Sequence, residues 1–360
     1  MKKLMMAGAL AAGICSSVLA QEEAKTTFTL SGYAELYYTY DANRPLNNTR
    51  PGFVYSHHRA NEVNLNLAFL KGNYSAERLR ANLAIGAGTY MNANLAAEPG
   101  VLKNIYEANA GVKLSKTHNL WLDAGILPSH IGFESAIGKD NWTLTRSLVA
   151  DNSPYYEAGA KLGYTSKNEK WYLAVLYLNG WQRIQRVDGN TTPAAGIQLS
   201  FKPAAAVTLN YSGFAGNDKP DSARLMRYYH NLYGIFQLSP QFGIMAGFDY
   251  GLEQQEKGSS KLNNWFTPVL ILQYKPDATN SLAVRGEYFQ DKNGVIISSG
   301  TPAGFKTIGW SINYDRQLFN KAVWRIELRS LHGKEDYFSK RDQSATKNNL
   351  FVSTALAIAF

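Results

Sequence analysis

The segment from Asn349 to Phe360 reads Asn-Leu-Phe-Val-Ser-Thr-Ala-Leu-Ala-Ile-Ala-Phe. Leu350, Val352, Thr354, Leu356, Ile358 and Phe360 fall on one parity. Asn349, Phe351, Ser353, Ala355, Ala357 and Ala359 fall on the other. Side chains of a β-strand alternate between faces, so this is a strand with one large apolar face and one mostly small or polar face. At the edge of a soluble sandwich such a strand would expose an apolar row and invite aggregation. The rest of the chain decides what that face meets instead.

The same period of two recurs from Thr27 onward. Phe28, Leu30, Gly32, Ala34, Leu36 and Tyr38 oppose Thr29, Ser31, Glu35 and Tyr37. Val63, Leu65, Leu67 and Phe69 alternate with Asn64, Asn66 and Ala68, and Leu79, Ala81, Leu83 and Ile85 with Arg78, Arg80 and Asn82. Further alternating stretches begin near Tyr106, Leu120, Tyr156, Ala195, Val207, Tyr228, Phe242, Phe266, Leu282, Ile308 and Trp324. Trp171 to Asn179 is apolar on both parities, which leaves its facing open. The connections alternate too. Long polar loops (Asp41–Ala60, Met91–Lys103, Pro128–Pro154, Arg183–Thr192, His332–Lys347) take turns with short ones at Ser75-Ala76, Lys116-Thr117, Lys167-Asn168, Pro203-Ala204, Ser239-Pro240, Asp277-Ala278 and Phe319-Asn320.

A mean hydropathy of −0.28 excludes a helical membrane protein, and no run of about 18 apolar residues follows the N-terminus. A transmembrane barrel escapes that test, because only alternate residues face lipid. The 22 Tyr, 16 Phe and 7 Trp suit interfacial girdles. Closure also removes every edge and satisfies the backbone in lipid. The expectation is an all-β chain: one transmembrane antiparallel up-and-down β-barrel of about sixteen strands over residues 21–360. It has short periplasmic turns and long extracellular loops, in a bacterial outer membrane.

Residues 1–20 read as an export leader: basic Lys2 and Lys3, an apolar core from Leu4 to Val18, then Val18-Leu19-Ala20 before Gln21. The single cysteine, Cys15, lies inside it, so the mature chain forms no disulfide. Of the formal net charge of +9, two units belong to Lys2 and Lys3. The remaining excess suits anionic solutes or the phosphates of lipopolysaccharide. No basic cluster supports nucleic-acid binding.

On this reading the inward parity carries Arg78, Arg80, Lys113, Lys161, Lys202, Arg285, Arg325 and Arg329, with Glu35, Glu107, Glu157, Asp249, Glu287 and Glu327. A water-filled interior explains so many charges, and about sixteen strands leave room for one. The alternative is paired ladders that hold the wall. The two signs nearly balance, so no ion preference follows. The longest loop, Pro128–Pro154, carries His130, Glu134, Lys139, Asp140, Trp142 and Arg146. It either folds in as a constriction that selects solutes by charge and size, or lies outside over the mouth.

The run Ser31-Gly32-Tyr33-Ala34-Glu35-Leu36-Tyr37-Tyr38, then Leu122-Asp123-Ala124-Gly125, Pro128, Ile131-Gly132-Phe133-Glu134, Asp140-Asn141, Ser147-Leu148 and Pro154-Tyr155-Tyr156-Glu157, resembles the β-barrel porin-2 family. Those are outer-membrane porin-like barrels common in Bacteroidota. The resemblance implies passive diffusion of small hydrophilic solutes or ions, a terminal Phe360 read by the barrel-assembly machinery, and, as in many porins, a homotrimer. It implies no catalytic residue, cofactor or metal. A hydrolase would need an oriented nucleophile and base; Ser129 and His130 are adjacent and diverge in extended chain, and no Gly-x-Ser-x-Gly elbow is present. His57 and His58 read as solvated loop residues. The rival reading is a closed structural or adhesive barrel whose basic loops, with Arg44, Arg50, Arg59, Arg183, Arg186 and Arg224, bind surface partners.

Overall fold

The computed structural model describes residues 26–360, so the expected leader over residues 1–20 lies outside the described residues. The strands are β1 Thr27–Asp41, β2 Val63–Ser75, β3 Leu79–Ala87, β4 Ile105–Lys113, β5 Asn119–Pro128, β6 Tyr156–Thr165, β7 Trp171–Leu178, β8 Ala194–Ala204 and β9 Val207–Gly216. They continue with β10 Arg227–Gln237, β11 Phe242–Gln254, β12 Leu262–Tyr274, β13 Asn280–Asp291, β14 Phe305–Phe319 and β15 Ala322–Gly333. A small hairpin, β16 Phe338–Ser339 and β17 Ala345–Thr346, precedes β18 Asn348–Ala359. β1 to β15 and β18 form one closed barrel, each strand antiparallel to its neighbours, so the expected sixteen strands are present. The alternation of long and short connections places every long loop at one end.

The terminal alternation described above closes the ring. β18 pairs with β1 from Tyr33↔Ala359 to Asp41↔Phe351, and Gly32 and Phe360 exchange backbone hydrogen bonds of 2.7 and 2.9 Å. The Phe360 ring lies on Gly32 where any side chain would stand, so a larger residue there would displace the ring. Leu36, Leu83, Val175, Leu232, Leu270, Ile312 and Leu350 project outward and exposed, as a lipid-facing wall requires. Aromatic pairs stack toward the short-turn end, Trp171 on Phe201 at 4.1 Å and Phe242 on Tyr274 at 4.7 Å.

Three facings depart from simple parity or resolve it. In β2 the register shifts, so that Glu35 pairs with Leu67 but Leu36 with Leu65. Such a bulge adds a residue and flips the faces beyond it. Val63 stays outside, whereas Leu67 and Phe69 turn inward and are buried. A second shift opposite Ala84 and Ile85 leaves Tyr106 of β4 stacked on Phe69 at 4.9 Å, inside the barrel. In β7, Trp171, Leu173, Val175 and Tyr177 face out. Ala174, Leu176 and Leu178 face in, because an apolar cluster with Ile131 and Val54 waits for them there.

The hydrophobic core therefore sits within the barrel, between the wall and the long connections that fold inward, with Tyr90 and Met91 after β3 and Ile297 after β13 among its members. The helix α1, Thr89–Asn94, lies in the connection after β3; the two loops that matter most for the site are loop 1 (residues 42–62) and loop 3 (residues 129–155), the latter carrying the short helix α2, Leu148–Asp151.

Candidate functional site: the loop inside the barrel

Loop 3 carries an internal frame of its own. Its base is pinned where Ser129 N donates to Tyr155 O at 3.1 Å. Asn141 folds the middle: its Oδ1 accepts from Ser135 N at 2.7 Å, and its Nδ2 donates to Ser135 O and Ile137 O. Ser147 caps α2 by accepting from Ala150 N at 3.3 Å. Glu134 accepts from Ser147 N at 3.1 Å and from the Ser147 hydroxyl. Arg146 spends its guanidinium on loop carbonyls, Leu144 O at 2.8 Å and Ala136 O at 3.0 Å.

Three wall arginines then clasp the loop. Arg285 donates to Thr143 Oγ1 at 2.9 Å, Thr145 O at 2.7 Å and Glu327 Oε1 at 2.8 Å. Arg329 donates to Arg146 O at 2.7 Å and to Glu287 Oε1 at 2.5 Å. Arg325 donates to Gly138 O at 2.5 Å, Asn141 O at 2.8 Å and Asp315 Oδ2 at 2.7 Å. The carboxylates also receive the loop backbone: Thr145 N donates to Glu327 at 2.5 Å and Leu148 N to Glu287 at 2.6 Å. Each guanidinium thus serves a wall carboxylate and the loop backbone at once through the planar five-donor fork, which the compact ammonium of lysine lacks.

The opposite wall holds the loop by other means. His130 Nε2 donates to Gly213 O at 2.9 Å while Nδ1 meets Glu157 at 2.9 Å. Burial alone would pull the His130 pKa down, but the Glu157 charge and hydrogen bond outweigh it and raise the pKa. Ser212 Oγ donates to His130 O at 2.6 Å, and Gly132 N donates to Asn231 Oδ1 at 3.1 Å. Asn231 and Tyr229 both donate to Asp249. Loop 1 lies on top: Ser56 N donates to Asp151 Oδ1 at 3.1 Å, and His57 Nε2 meets Glu35 Oε1 at 2.8 Å. His57 and His58 therefore diverge, and His57 is fully buried rather than solvated, since Glu35 lies beneath it.

The residues named from sequence divide into groups. Glu35, Glu157, Arg285, Glu287, Arg325, Glu327 and Arg329 are inward, buried and bonded to one another or to the loops, and Asp249 is inward and buried with its bonds to Tyr229 and Asn231 of the wall. Arg80 and Lys161 lie lower on the wall and are less enclosed, beside the buried Glu107; Arg80 pairs with Asp123 at 2.6 Å over the Trp121 ring, and Lys71 with Glu107 at 2.5 Å. Arg78 belongs to the turn before β3, where it is exposed and donates to Lys113 O at 3.0 Å, so it is not part of the wall. Lys113 and Lys202 stand at the short-turn ends of β4 and β8. His130 and Arg146 are buried in loop 3 and the Glu134 side chain is enclosed there, whereas Lys139 and Asp140, paired at 2.8 Å, form its far tip. That tip lines a cavity of about 630 Å³ near the short turns, with Asp277, Asn280 and Lys321. Sequence reasoning missed Thr143 and Thr145, the acceptors for Arg285, and the inward course of loop 1. The dense polar run Asn141 to Ser147 was the available signal.

Every barrel strand carries a buried side chain, from Glu35 on β1 through Glu157, Asn231 and Arg285 to Ser353 on β18. Among the described residues no group of three or more His, Cys, Asp or Glu is placed to hold a metal.

A family described as "Putative beta-barrel porin-2, OmpL-like" matches residues 27–360. The chain belongs to the β-barrel porin-2 family. This porin is a protein of the bacterial outer membrane. Its fold is shared with an anion-selective porin from Comamonas acidovorans (8% identity, TM-score 0.61, covering 93% of this chain and 100% of that one). It is shared too with the trimer form of OmpT of Vibrio cholerae (11% identity, TM-score 0.59, 93% and 99%) and with the outer membrane channel DcaP of Acinetobacter baumannii (12%, 0.57, 95% and 99%). No curated protein sequence matches this porin.

Proposed function

We propose that this porin passes small hydrophilic solutes or ions by passive diffusion, and that loop 3 governs the passage. The observation that supports this reading is the chemistry holding the loop. Its seat on the wall includes charge-assisted hydrogen bonds from Arg285, Arg325 and Arg329 beside the apolar contacts of Ile131, Leu148 and Val149. Polar seats re-form in water, so a loop held this way can leave and return. Beneath it the wall offers Lys71, Glu107, Arg80, Asp123 and Lys161 as a polar path toward the short turns. Assembly as a homotrimer, in contact with lipopolysaccharide, and recognition of Phe360 by the assembly machinery belong to the same proposal.

One observation favours a second reading. With a buried side chain on every strand, the barrel is filled as a structural or adhesive barrel would be. Single-channel recording of the refolded mature protein in a planar bilayer decides. Discrete steps that solute blocks support the porin. A folded barrel that never conducts sinks it.

A further inference from the structure

We propose that the cavity at the extracellular rim, above the β1–β18 seam, binds the oxyanion of a small organic solute, with the Arg50 guanidinium as its anchor. The cavity holds about 670 Å³ and is lined by Arg50, Asp41, Asn349, Tyr337 and Lys340 among others. That volume admits a solute of monosaccharide size.

Arg50 differs from every other buried arginine described above. It is 2% exposed, yet Nε, Nη1 and Nη2 all stand without a hydrogen-bond partner among the described residues. Arg285, Arg325 and Arg329 at similar depth are bonded to carboxylates and carbonyls. A purely structural cation would be expected to have the same, because an unpaired buried charge is strongly destabilising. What holds Arg50 is a stack on the Phe351 ring, 3.7 Å from the guanidinium carbon to the centroid. Stacking uses one face of the group and leaves the buried in-plane N–H donors without a partner beside the cavity.

The neighbouring charges do not consume that edge. Asp41 is occupied: it accepts from Asn349 Nδ2 at 2.8 and 2.9 Å and from Asn43 N at 2.8 Å, tying the seam. Asp151 is bonded to Ser56. Arg329 approaches the same Phe351 ring at 5.9 Å and adds positive potential, and Lys340 adds more at the cavity wall. Burial and Arg329 bring the Arg50 pKa down to about 10, so it remains a cation at neutral pH. A planar fork of donors matches a carboxylate or a phosphate group in a bidentate fashion. In the porin reading this names the class of solute that is drawn to the mouth, and it rests on that reading for the transport step alone.

The test is calorimetric titration of the refolded protein in detergent with glucuronate, glucose 6-phosphate and neutral glucose. Saturable binding of an acidic sugar without binding of glucose is expected, and the tighter of the two identifies carboxylate or phosphate as the natural group. Arg50→Gln should weaken it at least about tenfold. The site is overturned if neither anion binds, if glucose binds as well, or if Arg50→Gln binds like the wild type. Should Arg50→Gln not refold, Lys340→Gln is expected to weaken binding several-fold, and the acidic sugar should raise the wild-type unfolding temperature where equal chloride does not. Absence of both effects overturns the proposal. Conductance in the same preparation separates the two readings. A barrel that conducts but binds neither anion keeps the porin and loses the site, and one that binds but never conducts does the reverse.

Discussion

Glu287 is the residue on which the loop's seat turns. One oxygen takes Arg329 and the other takes Leu148 N. Glu287→Gln leaves Arg329 without its carboxylate at full burial, and breaking such a pair costs about 3–5 kcal/mol. The expected outcome is a lower unfolding temperature together with more frequent channel opening, read by calorimetry and by single-channel recording. Titration acts on the same seat. Burial pushes Asp151 up to about 6 and raises Glu134, whose contacts with Arg285 and Ser147 only partly offset it. A carboxyl whose pKa is higher in the folded-in state favours that state while protonated, and the advantage fades as pH rises from about 4 through the raised value. His130 is also raised, so its contribution is full below about 6.5 and is lost as pH climbs past its folded pKa. All three seat loop 3 more firmly in acid. His57 has the opposite sign, since burial lowers its pKa and loop 1 loses stability as pH falls below about 6.5. Open probability should therefore rise between pH 5 and pH 8, and Asp151→Asn should flatten the acid side of that curve. A pH-independent open probability would refute the assignment.

Loop 3 carries an internal frame of its own, held by Asn141, Glu134 and Ser147 independently of its contacts with the wall. Ser147→Ala removes both the α2 cap and a donor to Glu134; the cap alone is worth about 1 kcal/mol. The expected result is a modest fall in stability with a measurable rise in leak current. Replacing residues 131–152 by a short glycine linker should go further and give a stable barrel with large, unblocked steps; a barrel that stays silent would place the seal elsewhere. Much at this scale was legible in the chain. The strands, their order and the position of the longest loop follow from alternation and connection length. The inward side of Leu67, Phe69 and Tyr106 was not, because a bulge changes parity without changing composition. Nor was the course of loops 1 and 3. Their polar residues are satisfied by wall groups distant in sequence, such as Thr145 by Arg285, and a local pattern carries no trace of a partner so far away.

At the scale of the molecule, the wall and its filling share the same buried charges. An inward residue such as Arg325 both pairs with Asp315 on its neighbour strand and carries Gly138 of the loop. Arg325→Met should accordingly lower the temperature at which the barrel loses its compact migration on a gel, and expose loop 3 to protease at once. The ring itself has one more property. Every pairing in the barrel joins barrel strands consecutive in the chain, β15 and β18 across their small hairpin included, except the seam, where Tyr33 meets Ala359 and Asp41 meets Phe351. The first strand therefore has to wait for the last. During synthesis and export its edge stays unpaired for the whole length of the polypeptide, and no partial product can finish the cylinder. Loss of a few residues at the final strand would act less like trimming a tail than like leaving a zip without its slider: the teeth are intact, and nothing holds them shut.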